Sequence, residues 1–206
     1  MMTDESFQRA KEYALSQLKQ KLPPELTYHN YSHTTDEVLP AARELAKLSG
    51  LSGHETCLLE IAAVYHDLGY SDNPKEHEQI GAEITGRVLP EFGFNAEDIR
   101  VIQGMILATK LSARPQTLAE KVLVDADLSI LGSQDFYKRS IDLRKELAAS
   151  GQDYSDLEWC QVQLKFLERH SYVTEAAREI FTDTKDKNIA RLRSLLTQAR
   201  ELEECE

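Results

Sequence analysis

The chain has 206 residues, with 24 Lys and Arg against 35 Asp and Glu for a formal net charge of −11. Such acidity excludes a sequence-independent nucleic-acid binder, which needs a basic face for phosphates, and 41% hydrophobic residues suit one globular domain with a sizeable core. No apolar run approaches the ~18 residues of a membrane span, the opening MMTDESFQRA lacks a secretory pattern, and Cys57, Cys160 and Cys205 are too scattered for a disulfide framework, so a reducing cytoplasm is the expected setting.

Helical periodicity dominates and β-alternation is nearly absent. Thr3 or Asp4 can cap a first helix whose Phe7, Ala10, Ala14 and Leu18 share a face, ending before Pro23-Pro24. A second helix is expected over Ser32 to Leu48, with Pro40 kinking or breaking it and Gly50 stopping it. The third, about Glu55 to Leu68, is apolar nearly all round and reads as the central buried helix, with Gly69 permitting a sharp exit. Further helices are expected at His77 to Leu89, Ala96 to Thr109, Leu118 to Leu131, Gln134 to Ala149, Asp156 to Glu168 and Val173 to Phe181. A separate last helix, Lys187 to Leu202, places Ile189, Leu192, Leu195, Leu196, Ala199 and Leu202 on one stripe. That stripe either docks on the domain or pairs with a second copy in a homodimer. It carries no candidate ligand and reads as the most dispensable element.

Chemistry gathers in three segments: YHNYSH (Tyr28 to His33), AAVYHDLGY (Ala62 to Tyr70) and VDADLSILG (Val124 to Gly132). Read as ligands, His33, His66, Asp67 and Asp127 offer two imidazoles and two carboxylates. That donor set suits Mn, Fe, Co, Ni or Zn, and Mg less well, and leaves coordination positions open. The bland alternative for His66-Asp67 is a hydrogen-bonded pair in a helical core; a charged carboxylate at the end of so apolar a helix is expensive unless paired or bound to metal. Asp127 shares a face with Leu123, Ile130 and Leu131, whereas Asp125 is expected to be solvated or to support a ligand. His29 lies four residues before His33 and would share its face if the helix already includes it. His77 faces inward with Ile80, Gly81 and Ile84, as a further ligand, a phosphate contact or a satisfied core histidine. His54 reads as exposed and His170 as a helix-end residue. Lys110 and Arg114, just beyond a helix C-terminus, suit either its dipole or a phosphate.

In the order H…HD…D these segments resemble the HD-domain metal-dependent phosphohydrolase superfamily, and YHNYSH is similar to the opening of the cyclic-nucleotide phosphodiesterase site. More narrowly, HNYSHT, IAAVYHDLGY, HEQIGAEI, ILATK, DADLSILG, LRKEL and FLERHSYVTEAA look like a group of uncharacterised bacterial HD phosphohydrolases. The resemblance covers Tyr28 to Ala177 and implies an all-α, single HD-domain bundle. It implies that His33, His66, Asp67 and Asp127 hold the metal and that His29 protonates the leaving group. Lys110 and Leu111 stand where dinuclear relatives carry a later histidine, so it implies one ion per chain; the acid that some nucleotidases carry after HD is replaced by Leu68, Gly69 and Tyr70.

The expected activity is hydrolysis of a small phosphomonoester or phosphodiester, with a nucleotide as the favoured substrate, by metal-activated water. Asp67 would orient that water, Lys110 and Arg114 would offset phosphate charge, and His77 would contact substrate. Two other classes remain open: a metal-stabilised nucleotide sensor without turnover, and an HD-type diiron oxygenase. No long nucleic acid or membrane is an expected partner.

Overall fold

The apolar third helix organises the molecule: from Leu58 to Tyr65 nearly every side chain is buried, and it packs against helices from both halves of the sequence. The structure, a computed structural model, describes residues 4–203, the side chains of residues 200–203 aside. Its α-helices are α1 (Asp4–Lys21), α2 (Leu39–Leu48), α3 (Gly53–Tyr65), α4 (His77–Val88), α5 (Ala96–Ala108), α6 (Leu118–Asp127), α7 (Phe136–Ala149), α8 (Asp156–Arg169) and α9 (Glu175–Glu203). A π-helical stretch (His33–Val38) leads into α2, and 3₁₀ turns follow α3, α4 and α6. Among the described residues there is no β-strand, and no helix is long and apolar enough to cross a membrane. The all-α expectation holds. Thr3, offered as a first cap, and the side chain of Leu202 lie outside the described residues.

Two apolar cores result. The larger gathers α1 to α6 around α3, with Phe7, Ala10, Ala14 and Leu18 supplying the buried face of α1 and the Tyr65 hydroxyl donating to the Ala10 carbonyl at 3.0 Å. The smaller joins Tyr28, Ile130, Leu131, Phe136, Leu167 and Leu192, and so ties α7, α8 and α9 to the segment after α6.

Three expectations are corrected. First, the stretches expected at Val173 to Phe181 and Lys187 to Leu202 merge into one continuous helix, α9, which begins at Glu175. The intervening Thr182–Asp186 run is a poor helix former, but tertiary contacts hold it: the Lys185 ammonium donates to the His170 carbonyl, and the Asn188 amide donates to the carbonyls of Leu131 and Ser133. The later part of this helix packs on the domain. Leu192 and Leu196 dock on the domain, while Leu195 of the same stripe is 41% exposed. Second, Gly69 has no positive φ. It is glycine because a Cβ there would collide with the His77 carbonyl, where the chain crosses the start of α4. Third, Asp125 is neither solvated nor beside the other acids. It is fully buried and accepts from the backbone N–H groups of Val173 (2.8 Å) and Thr174 (2.7 Å) and from the Thr174 hydroxyl, satisfying donors at the start of α9.

Asp125→Ala leaves those buried donors without an acceptor, at ~1–3 kcal/mol each. Chemical denaturation should show about 3 kcal/mol less stability, with the metal content of the folded protein retained; an unchanged midpoint would refute this bracing role. His170 closes α8 against Tyr172, with Nδ1 buried and unpartnered among the described residues. Burial, helped by Lys185, lowers its pKa from 6.5 to about 4. The unfolded chain binds this proton first, so the group costs nothing above neutral pH and destabilises the fold as pH falls from 6.5 toward 4. His170→Gln should flatten that part of the stability–pH curve, and a curve parallel to wild type would exclude it.

Candidate metal centre

Each side chain of the centre is set by the end of a helix. Asn30 starts the first segment: its Oδ1 accepts from the backbone N–H groups of Ser32 (3.1 Å) and His33 (3.2 Å). The helix then widens into the π-stretch, with the Leu39 N–H reaching back to Thr34, and Pro40 falls in the first turn of α2. There its missing N–H costs little. This is the irregularity that Pro40 announced, and it sits directly at His33. His29 precedes the helix, so the two histidines do not share a helical face as their spacing suggested. His66 and Asp67 follow the last residue of α3, and Asp67 leaves helical geometry at φ −96°, ψ 2°. That departure brings adjacent side chains to one point. Asp127 ends α6.

Nε2 of His33 lies 3.2 Å from Asp127 Oδ1 and 3.8 Å from Asp67 Oδ2, and Nε2 of His66 lies 3.2 Å from Asp67 Oδ1 and 3.4 Å from Asp127 Oδ1. Ligand atoms of His33, His66 and Asp127 all fall within 4.8 Å of one another. The side chains of both histidines are 1% exposed and that of Asp67 is 3% exposed. Burial opposes charge on His33, but hydrogen bonds to Asp127 and Glu37 outweigh it and raise the pKa to about 9. His66 is also raised, burial being outweighed by Asp67 and Asp127. Burial likewise opposes ionisation of Asp67 and Asp127, and the histidines hold both well below the usual carboxylate range.

The donor set fits a divalent cation. The far ring nitrogens are anchored: His66 Nδ1 to the Ala63 carbonyl and His33 Nδ1 to Glu37 Oε2, each at 2.8 Å. An Nδ1–H given to those acceptors leaves Nε2 as a lone pair aimed at the carboxylates, as a histidine ligand requires. His66 Nε2 and Asp67 Oδ2 are buried without a hydrogen-bond partner among the described residues. Two orphaned polar atoms beside two more donors are costly in a protein alone and natural around an ion.

A cavity of about 540 Å³ opens from this centre. On one side the rings of His29, Tyr70 and His77 stack, with centroids 4.2 Å and 4.0 Å apart. His29 Nδ1 meets Glu146 Oε1 at 2.5 Å, while Glu146 Oε2 accepts from the N–H groups of Tyr28 and His29. Burial would raise the Glu146 pKa, but these bonds hold it below the usual value. His77 is tied through Nδ1 to the Pro74 carbonyl, with Nε2 3.9 Å from Asp67 Oδ1 and 3.5 Å from Glu78 Oε1. Lys110 is exposed on the rim; Arg114 does not line the cavity. His54 pairs with Asp98, away from this wall.

Residue-by-residue reading missed Glu37, Glu146, Arg139 and Tyr70. Arg139 pairs with Glu37 and Asp142, donates to the carbonyls of Thr27 and Tyr28, and lies 4.5 Å from the Tyr28 ring centroid. Only the (i, i+4) spacing of His33 and Glu37 was a local signal; Arg139 and Glu146 reach the site from more than a hundred residues away.

No family model matches the chain. Over 74 residues it is 32% identical to the bifunctional uridylyltransferase/uridylyl-removing enzyme of Cereibacter sphaeroides; the match covers 36% of this chain and 7% of that enzyme, so the chain spans a small fraction of the curated relative's length. Three solved structures are similar over nearly their full lengths. A predicted HD superfamily hydrolase from an uncultured Thermotogales bacterium has a TM-score of 0.63 at 20% identity, covering 93% of this chain and 91% of its own. A Lactobacillus plantarum protein has a TM-score of 0.71 at 18% identity, covering both chains completely. Bacillus subtilis YpgQ, in complex with ADP, has a TM-score of 0.66 at 21% identity, covering 96% and 97%. At these identities the likeness is one of fold.

If the four donors hold an ion, His66→Ala should abolish binding of Mn or Co, read by elemental analysis and by loss of the metal-dependent rise in melting temperature. Glu37→Gln, which touches no ion but holds the His33 ring, should weaken binding about 10–100-fold. Unchanged affinity in Glu37→Gln would show that the His33 ring is held without it.

Proposed function

We propose that this protein is a metal-dependent phosphohydrolase acting on a small phosphomonoester or phosphodiester, with a nucleotide as the favoured class. The pair of buried, unpartnered ligand atoms on His66 and Asp67, beside a ligand-sized cavity that Asp67 and Asp127 line, carries this reading. The neighbour described as a predicted HD superfamily hydrolase supports the hydrolase class, and the ADP held by the Bacillus subtilis neighbour supports a nucleotide.

His33, His66, Asp67 and Asp127 would hold the ion. When bound, a divalent ion supplies Lewis acidity to a phosphoryl oxygen and to the attacking water. The remaining work falls to the chain. Asp67, with one oxygen unpartnered, is placed to orient that water. Lys110 on the rim offsets phosphate charge, and His77 offers Nε2 to the substrate from the opposite wall. His29 is the acid: Glu146 engages Nδ1 and Tyr70 stacks on the ring, which leaves Nε2 to pass a proton to the departing oxygen. Glu146 is a positioning residue. The apolar lining beyond Asp127 keeps bulk water from the reacting groups.

The test is phosphate release from nucleotides, cyclic nucleotides and simple esters with Mn, Co, Ni, Mg and Fe. Turnover is expected and His66→Ala should abolish it; selective nucleotide binding without release under every metal would convert the reading to a sensor. His29→Ala should keep the metal and lose ~10²–10⁴-fold in rate, with partial recovery on nitrophenyl esters, whose leaving group needs no proton. Equal slowing of good and poor leaving groups would remove His29 from the acid role.

A further inference from the structure

The cavity continues well past the reacting groups into a lobe between α7, α8 and the segment after α6, and its walls there are apolar: Leu131, Phe136, Leu147, Trp159 and Phe166. Within it stands one amide that the fold does not use. Gln163 is 7% exposed and lines the lobe, and its side chain has no hydrogen-bond partner among the described residues. The other polar groups there are already engaged: the Trp159 indole N–H donates to the Ser140 hydroxyl at 2.9 Å, and Arg139 is spent on Glu37, Asp142 and the carbonyls of Thr27 and Tyr28.

We infer that this lobe is the specificity pocket, built for a flat aromatic heterocycle on the leaving-group side of a monophosphate ester, and that Gln163 reads its polar edge. Three observations converge. The Gln163 amide opens onto the cavity and makes no bond among the described residues, so an alkyl chain filling the lobe would strip its water without replacing those bonds, whereas a ring edge with one donor and one acceptor matches a carboxamide. The lobe offers aromatic faces for stacking. Charge sets the number of phosphates: the cationic residues of the lining are Lys110 and the already paired Arg139, against Asp67, Glu78 and Asp127. A divalent ion would offset Asp67 and Asp127, which leaves Lys110 as the one unpaired lysine or arginine of this lining among the described residues, so each phosphate beyond the first adds repulsion with little to offset it. A nucleoside monophosphate therefore fits, while a triphosphate or a sugar phosphate does not.

This inference rests on the phosphohydrolase reading for the place of the phosphate, but it can be tested separately, because Trp159 is the chain's sole tryptophan and reports binding without turnover. Metal-loaded protein is mixed rapidly with AMP, ATP, glycerol phosphate, octyl phosphate or inorganic phosphate, and the change in Trp159 fluorescence is followed before hydrolysis. AMP should bind at least about tenfold more tightly than each of the others. Gln163→Leu, which conserves volume and removes the amide, should lower the preference for AMP over octyl phosphate about tenfold. Val162→Phe, a partly exposed change on the wall of the lobe, should weaken AMP more than inorganic phosphate. Octyl phosphate or ATP binding as tightly as AMP, or a preference unchanged in Gln163→Leu, overturns the inference. Hydrolysis of many esters without discrimination sinks it alone, whereas selective AMP binding with no hydrolysis of any ester sinks the phosphohydrolase reading alone.

Discussion

Everything around the centre follows from the cost of keeping two imidazoles and two carboxylates out of water at one point. His33, His66, Asp67 and Asp127 lower that cost in part by pairing among themselves, with Nε2 atoms of the two rings 3.2 to 3.8 Å from the carboxylate oxygens. Pairing still leaves His66 Nε2 and Asp67 Oδ2 without a hydrogen bond. The fold does not relieve this; it enforces it. Ala63 and Glu37 capture the outer nitrogens of the two rings, so the inner nitrogens cannot turn to other acceptors. Two buried donor atoms left open in this way fit a cation better than a closed protein core.

The helices act as rulers, and the irregularities between them do the aiming. Asp67 converges with His66 because the chain leaves α3 one residue earlier. His33 comes from a stretch wound more loosely than an α-helix, whose expansion ends where Pro40 can enter the first turn of α2. α4 is brought close by Gly81, where a Cβ would press on the carbonyls of Tyr65 and His66. That approach sets His77 against Tyr70, and Tyr70 against His29. A stack of three rings thus couples the loop before His33 to the turn after Asp67, two segments that share no regular hydrogen bonding.

The second core has a different task. Its helices close one end of the cavity, and α9 binds them to the rest: Asp125 holds the N–H groups of Val173 and Thr174 that lead into that helix, while Asn188 holds the turn after Asp127. The acidic pair two residues apart on α6 therefore serves two purposes, Asp127 toward the site and Asp125 toward the brace. Arg139 does comparable work beneath Tyr28, linking the loop of His29 to α7.

By itself the sequence determined the all-helical character, most helix spans, the burial of α3 and the order of the site's histidines and aspartates, because each is written in local periodicity or in the cost of a charged group at an apolar helix end. It also marked the irregularity at Pro40, since a missing backbone donor is local. Tertiary structure alone decided what Asp125 does: the sequence set it apart from Asp127, but not that the N–H groups of Val173 and Thr174 would meet it. It made α9 continuous through a polar run whose propensity argues for a break, because Lys185 and Asn188 find carbonyl acceptors on other elements. It supplied Glu146 to His29 across 117 residues, and it left Gln163 without a partner in a cavity. Those relations depend on which distant surfaces meet, and neither spacing nor composition encodes that.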